Sequence, residues 1–197
     1  MRTQVIDRTK IVNITLVLEA VLLLAAVVWM QLAQVSLIGQ FSFNRVKLFL
    51  GVITGMILAA SGFFIFLIGK FSGGSIKWID SLKRIVEEEI APMFRQLRFY
   101  DIVLLALSSG FCEEVFFRGV MQSQIGLMPT SFIFGLFHCP NERHLVYGLW
   151  ALGAGLVLGL LSERTGSLWV PILAHTISNF VSILYMRYWI KPIASGA

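Results

Sequence analysis

Glu113, Glu114 and Arg118 stand close together in Phe111-Cys112-Glu113-Glu114-Val115-Phe116-Phe117-Arg118, inside an otherwise apolar segment. A charged side chain near a bilayer centre costs at least a few kcal/mol, so such residues mark functional sites. Helical residues advance by about 100° each, which puts residues four apart on one face. Glu114 and Arg118 have that spacing and read as an ion pair, which lowers the cost of burying either. Glu113 points to another face and is left over. An unpaired carboxylate in apolar surroundings suits a general base.

A base needs partners, and polar residues inside the apolar segments are few. His138 closes the run Phe134-Gly135-Leu136-Phe137-His138, and His175 and Asn179 lie four apart on one helix face. His144 sits with Glu142 and Arg143 in a loop and reads as solvated. Glu19 is a lone carboxylate inside the first apolar run, where it faces the bundle or snorkels. Cys112 and Cys139 form no disulfide framework and match no zinc-finger spacing; they read as small buried hydrophobes.

The elements that must position these groups are membrane helices. The chain of 197 residues is 57% hydrophobic and 14% charged, with 16 Phe and 5 Trp, and its mean hydropathy is +0.80. Its apolar runs approach the roughly 20 residues that span a bilayer. The fold class is all-α: a polytopic membrane helical bundle of about six transmembrane helices plus an interfacial amphipathic helix. Spans are expected over 11–33, 46–69, 99–125, a short 130–138, 145–161 and 167–186. The first is too long for a cleaved signal peptide. Between the second and third spans, Ile79, Leu82, Val86, Ile90, Met93 and Leu97 fall at helical steps. Charges lie opposite them, as on a helix lying in the interface and interrupted near Pro92. Its Glu87-Glu88-Glu89 run reads as the solvated face.

Residues 1–98 thus form an N-terminal part of two spans and the amphipathic helix, and 99–190 a core of four helices within one bundle. Ala151, Gly155 and Gly159 make a small-residue ridge for close helix packing. The net charge of +5 is explained by loops facing anionic headgroups, with no nucleic acid partner. With the N-terminus inside, most Lys and Arg fall on the inner side, Arg2 and Lys191 among them. That bias places both termini in the cytoplasm. At about 1.5 Å per residue, Glu113, His138 and His175 lie roughly 18, 13 and 12 Å below one membrane face. They share a layer.

Taken together, Glu113-Glu114-x-x-x-Arg118, Phe134-x-x-x-His138 and His175-x-x-x-Asn179 resemble the three motifs of a known family. It is the CAAX prenyl protease and bacteriocin-processing (CPBP, or Abi) family of intramembrane proteases. The similarity extends through Phe117-Arg118-Gly119 and Gly166-Ser167-Leu168-Trp169-Val170-Pro171, covering roughly residues 92–180.

The resemblance implies peptide-bond hydrolysis within the membrane. Glu113 and His138 would activate a water, and His175 and Asn179 would donate hydrogen bonds to the tetrahedral oxyanion. Glu114 and Arg118 would support the site. The implied partners are membrane lipids and a peptide or lipidated protein substrate processed at a CAAX-type C-terminus. The implied location is a prokaryotic cell membrane, with the chain integral and multi-pass. No cofactor is favoured. The alternative is zinc held by Glu113, His138 and His175, although no His-Glu-x-x-His is present. A non-catalytic immunity or scaffold protein of the same fold is the alternative function. A proton-coupled transporter is disfavoured because no internal repeat is visible.

Overall fold

The computed structural model describes residues 7–190, and among them only helices and connecting turns occur. Arg2 and Lys191, both used in the charge count above, lie outside the described residues. The first two long helices are α1 (Arg8–Ala33) and α2 (Arg45–Phe71). Shorter α3 (Lys77–Ile85) continues through a π-helical segment, Val86–Ile90, into α4 (Ala91–Phe94). Helix α5 (Phe99–Glu114) likewise runs through a π-helical segment, Val115–Met121, into α6 (Gln122–Ile125). Helices α7 (Leu127–Phe137), α8 (Leu145–Thr165) and α9 (Trp169–Tyr188) complete the bundle.

The all-α bundle agrees with expectation. Among the described residues four helices are long and apolar enough to cross a membrane: α1, α2, Glu142–Thr165 and α9. The 99–125 run is continuous helix, but it carries Asp101, Glu113, Glu114 and Arg118. Helix α7 has 11 residues and rises only about 16 Å, roughly half of a 30 Å hydrocarbon core. It cannot cross alone. Gly126, at φ 83°, separates it from α6, a left-handed conformation that an L side chain rarely adopts.

Helix α9 packs against both α2 and α5, α1 packs on α5, and α7 packs on α8. Two glycines permit the α9 contacts. A Cβ on Gly55 would lie 2.6 Å from the Ala174 carbonyl oxygen, and one on Gly110 would lie 2.8 Å from the Thr176 backbone nitrogen. Backbone cannot move aside as a side chain can. Gly110→Ala is therefore expected to destabilise the fold by about 1–3 kcal/mol, read as a lower unfolding midpoint in detergent. An unchanged midpoint would contradict this packing.

Polar ties fix the bundle's two ends. Arg8 donates from Nε to Asp101 Oδ2 at 2.6 Å and from Nη2 to Oδ1 at 2.7 Å. This two-pronged pair joins the N-termini of α1 and α5. At the other end Leu168 N donates to the Gln40 carbonyl at 2.7 Å, and Ser167 Oγ to that of Ser42 at 2.6 Å. Val17, Leu18, Val21 and Leu24 on α1 are well exposed; in a membrane this apolar surface faces lipid.

The amphipathic helix forms with Ile79, Leu82 and Ile85 buried, but its break precedes Pro92. Proline has no N–H and its ring crowds the carbonyl four residues back, here Glu88. The backbone widens into the π segment, with Ala91 N bonded to Val86 O. The register shifts as a result: Ala91 is buried and Met93, expected inward, is exposed. Glu88 and Glu89 are exposed as the expected solvated face requires, while Glu87 is half-buried. Burial pushes the Glu87 carboxyl above its usual pKa. His144 is more than solvated: its Nε2 lies 3.4 Å from Glu89 Oε2, linking the loop before α8 to this helix.

Candidate active site

The expected Glu114–Arg118 pair forms at the junction of α5 and its π segment. Arg118 Nη1 donates to Glu114 Oε1 at 2.8 Å, with both side chains 0% exposed. Arg118 Nη2 donates to the Gly155 carbonyl at 3.2 Å, and the guanidinium lies 4.4 Å from the Phe134 ring centroid. This is what the small-residue ridge on α8 admits. A Cβ on Gly155 would stand 3.3 Å from Arg118 Nη2 and 3.2 Å from Phe134. The buried pair has a third member that helix spacing does not reveal. His175 Nδ1 donates to Glu114 Oε1 at 2.7 Å. One carboxylate oxygen therefore orients both the guanidinium and an imidazole from α9.

Glu113 takes the other face. Its Oε2 is buried without a hydrogen-bond partner among the described residues, and its side chain lines a cavity of about 520 Å³. The amphipathic helix contributes Leu82, Val86 and Phe94 to the apolar wall of that cavity, and α2 contributes Phe63 and Phe66. Ser109, Tyr147 and Asn179 face the same space.

His138 stands where α7 stops, inside the bundle. Its Nδ1 donates to the Phe134 carbonyl at 2.8 Å, which leaves Nε2 as the nitrogen with a lone pair to offer. The spacing of Phe134 and His138 thus has a physical reason: one residue supplies the carbonyl that sets the other's tautomer. The Phe134 ring also lies 4.6 Å from the His138 ring and 6.0 Å from the His175 ring, centroid to centroid. His138 and His175 line a smaller cavity of about 30 Å³, which shares Tyr147, Trp150 and Asn179 with the large one. Glu113 thus faces the larger cavity, Phe134, His138 and His175 the smaller one and Asn179 both, while Glu114 and Arg118 lie behind His175.

Several of its members escape a motif reading. Ser109 Oγ accepts from Asn179 Nδ2 at 2.8 Å, and it precedes Glu113 by four residues on α5, a spacing that could have flagged it. Tyr147 lies 5.9 Å from His138, ring to ring, and stacks on Trp150 at 6.0 Å. Neither aromatic belongs to a recognisable pattern, so only the packing of α8 brings them in. Cys112 is buried and Cys139 half-buried, both with free thiols. Among the described residues no three His, Cys, Asp or Glu side chains gather as metal ligands.

Residues 95–181 match the family described as type II CAAX prenyl endopeptidase Rce1-like. This segment is Rce1-like. It holds all seven residues of the three motifs, so the likeness to CPBP intramembrane proteases rests on the same part of the chain. An uncharacterized protein of Bacillus subtilis (strain 168), YpbD, is 37% identical over 96 residues, 49% of this chain and 51% of its own. A second protein of that organism, named "Putative membrane peptidase YdiL", is 26% identical over 145 residues, 71% of this chain and 54% of its own. The chain spans about half the length of these curated relatives. No solved structure is a significant match. The Rce1-like segment and the four helices of spanning length identify an integral membrane protein.

Proposed function

We propose that this protein is an intramembrane endopeptidase that cleaves membrane-associated or lipidated peptides of the CAAX type. The observation that carries the reading is Glu113, a carboxyl without a hydrogen-bond partner on Oε2, beside an apolar cavity. The Rce1-like match supports the reaction class. In this mechanism Glu113, assisted by the free Nε2 of His138, takes a proton from water as its oxygen attacks the scissile carbonyl. His175, an imidazolium with Nδ1 on Glu114, donates from Nε2 to the oxyanion. Asn179 adds a second N–H, its amide oriented by Ser109. Each such donor is worth roughly 3–4 kcal/mol in the transition state. Glu113 then returns its proton to the leaving amine as the C–N bond breaks. Phe63, Phe66, Val86 and Phe94 would receive the substrate's apolar residues or lipid chain.

The reaction is proposed to need no metal. Read as an imidazolium, His175 carries N–H on both ring nitrogens and offers no lone pair to a metal. The test is cleavage of an internally quenched farnesylated peptide and its unmodified twin by the purified protein, with and without a tight chelator. Faster cleavage of the farnesylated peptide, unaffected by chelation, is expected. Cleavage of neither peptide would remove the assignment. Loss of activity restored by zinc would replace the metal-free mechanism.

A further inference from the structure

Glu19 belongs to none of the three motifs and lies outside the Rce1-like segment. It sits within α1, whose outer residues Val17, Leu18 and Val21 are well exposed, yet Glu19 itself is only 8% exposed. Helix α1 packs on α5, which turns Glu19 toward the helix bearing Glu113. Its Oε2 is buried and has no hydrogen-bond partner among the described residues. Glu19 lines the same 520 Å³ cavity as Glu113, as does Thr15 one turn earlier, and among the described residues no Lys, Arg or His lines that space. A carboxyl buried in a spanning helix without an ion pair is costly and marks a functional position. The chemistry on this cavity is carried by the carboxyl across it.

We propose that Glu19 is a positioning residue for hydrolysis. Its carboxyl accepts a hydrogen bond from the water that Glu113 activates, aiming that water's lone pair at the scissile carbonyl. The role rests on the reading of Glu113 as the base. One water proton passes to Glu113 as the C–O bond forms, while the other stays on the oxygen, shared between Glu19 and the free Nε2 of His138. The proton on Glu113 leaves with the amine when the C–N bond breaks. Glu19 neither gains nor loses a proton, so any acceptor of its size should serve.

The test uses the full chain in lipid nanodiscs with the quenched farnesylated peptide. Glu19→Leu should lower kcat roughly 10- to 100-fold at unchanged KM. Glu19→Gln, which keeps an acceptor oxygen, should restore most of the rate. Glu113→Gln is measured beside them. If Glu113→Gln is inactive while Glu19→Leu turns over at the wild-type kcat, the Glu19 role alone is overturned. If Glu113→Gln is fully active, the base assignment fails and the Glu19 role falls with it. Infrared difference spectra of the resting protein need no turnover and use only near-isosteric variants. The carboxyl band removed by Glu19→Gln should shift in Glu113→Gln, because both carboxyls hold one water. A band that stays in place would overturn the role.

Discussion

Glu113→Gln is expected to reduce kcat by about a thousandfold while leaving the helical content and the unfolding midpoint unchanged. The substitution preserves volume and keeps polar atoms at the cavity wall, so packing has no reason to respond. It removes the proton acceptor. Because Glu113 Oε2 has no hydrogen-bond partner among the described residues, little structure depends on its charge, and the loss should appear in turnover alone. Initial rates on the quenched peptide, with circular dichroism of the same sample, check both halves. A variant within tenfold of the wild-type rate would exclude Glu113 as the base.

The neighbouring carboxylate should behave in the opposite manner. Glu114→Leu is expected to cost about 3–5 kcal/mol of stability as well as activity. Glu114 Oε1 accepts from both Arg118 and His175, and the Glu114 and Arg118 side chains are fully buried. Truncating it strands a guanidinium among Phe117, Phe134 and Gly155, with one carbonyl among the described residues to accept from it. An uncompensated buried charge costs more than a pair exchanged as a whole. The double variant Glu114→Leu/Arg118→Met should therefore recover part of the lost stability, although not activity, since His175 remains without its anchor. Unfolding in mixed micelles measures the series. If the single and double variants melt together, the buried pair does not hold the site as described. The two adjacent glutamates would thus separate cleanly, one affecting rate and the other affecting both rate and fold.

Helical periodicity accounts for what was legible beforehand. Residues four apart share a face whatever surrounds the helix, so the Glu114–Arg118 pair and the isolation of Glu113 follow from spacing alone. The same rule exposed the small-residue ridge at Gly155 and most of the buried face around Ile79 and Leu82.

What local spacing does not contain is the choice of neighbour. That His175 anchors on Glu114, 61 residues away in the chain, depends on α9 meeting α5 at Gly110. The entry of Tyr147, Trp150 and Glu19 into the cavity depends likewise on how α8 and α1 seat against the core. Helix α7 makes no full crossing of its own because its 11 residues end part-way through the bilayer thickness. Met93 faced outward because a proline one residue earlier in the chain widened the turn before it. For the opening constellation, the sequence alone determined that Glu114 and Arg118 pair and that Glu113 is left over. Only the tertiary structure decided what Glu113 faces: a cavity walled by the amphipathic helix and shared with a second carboxyl, Glu19. A helix specifies its own faces through its period, whereas helix-to-helix packing decides what each face meets.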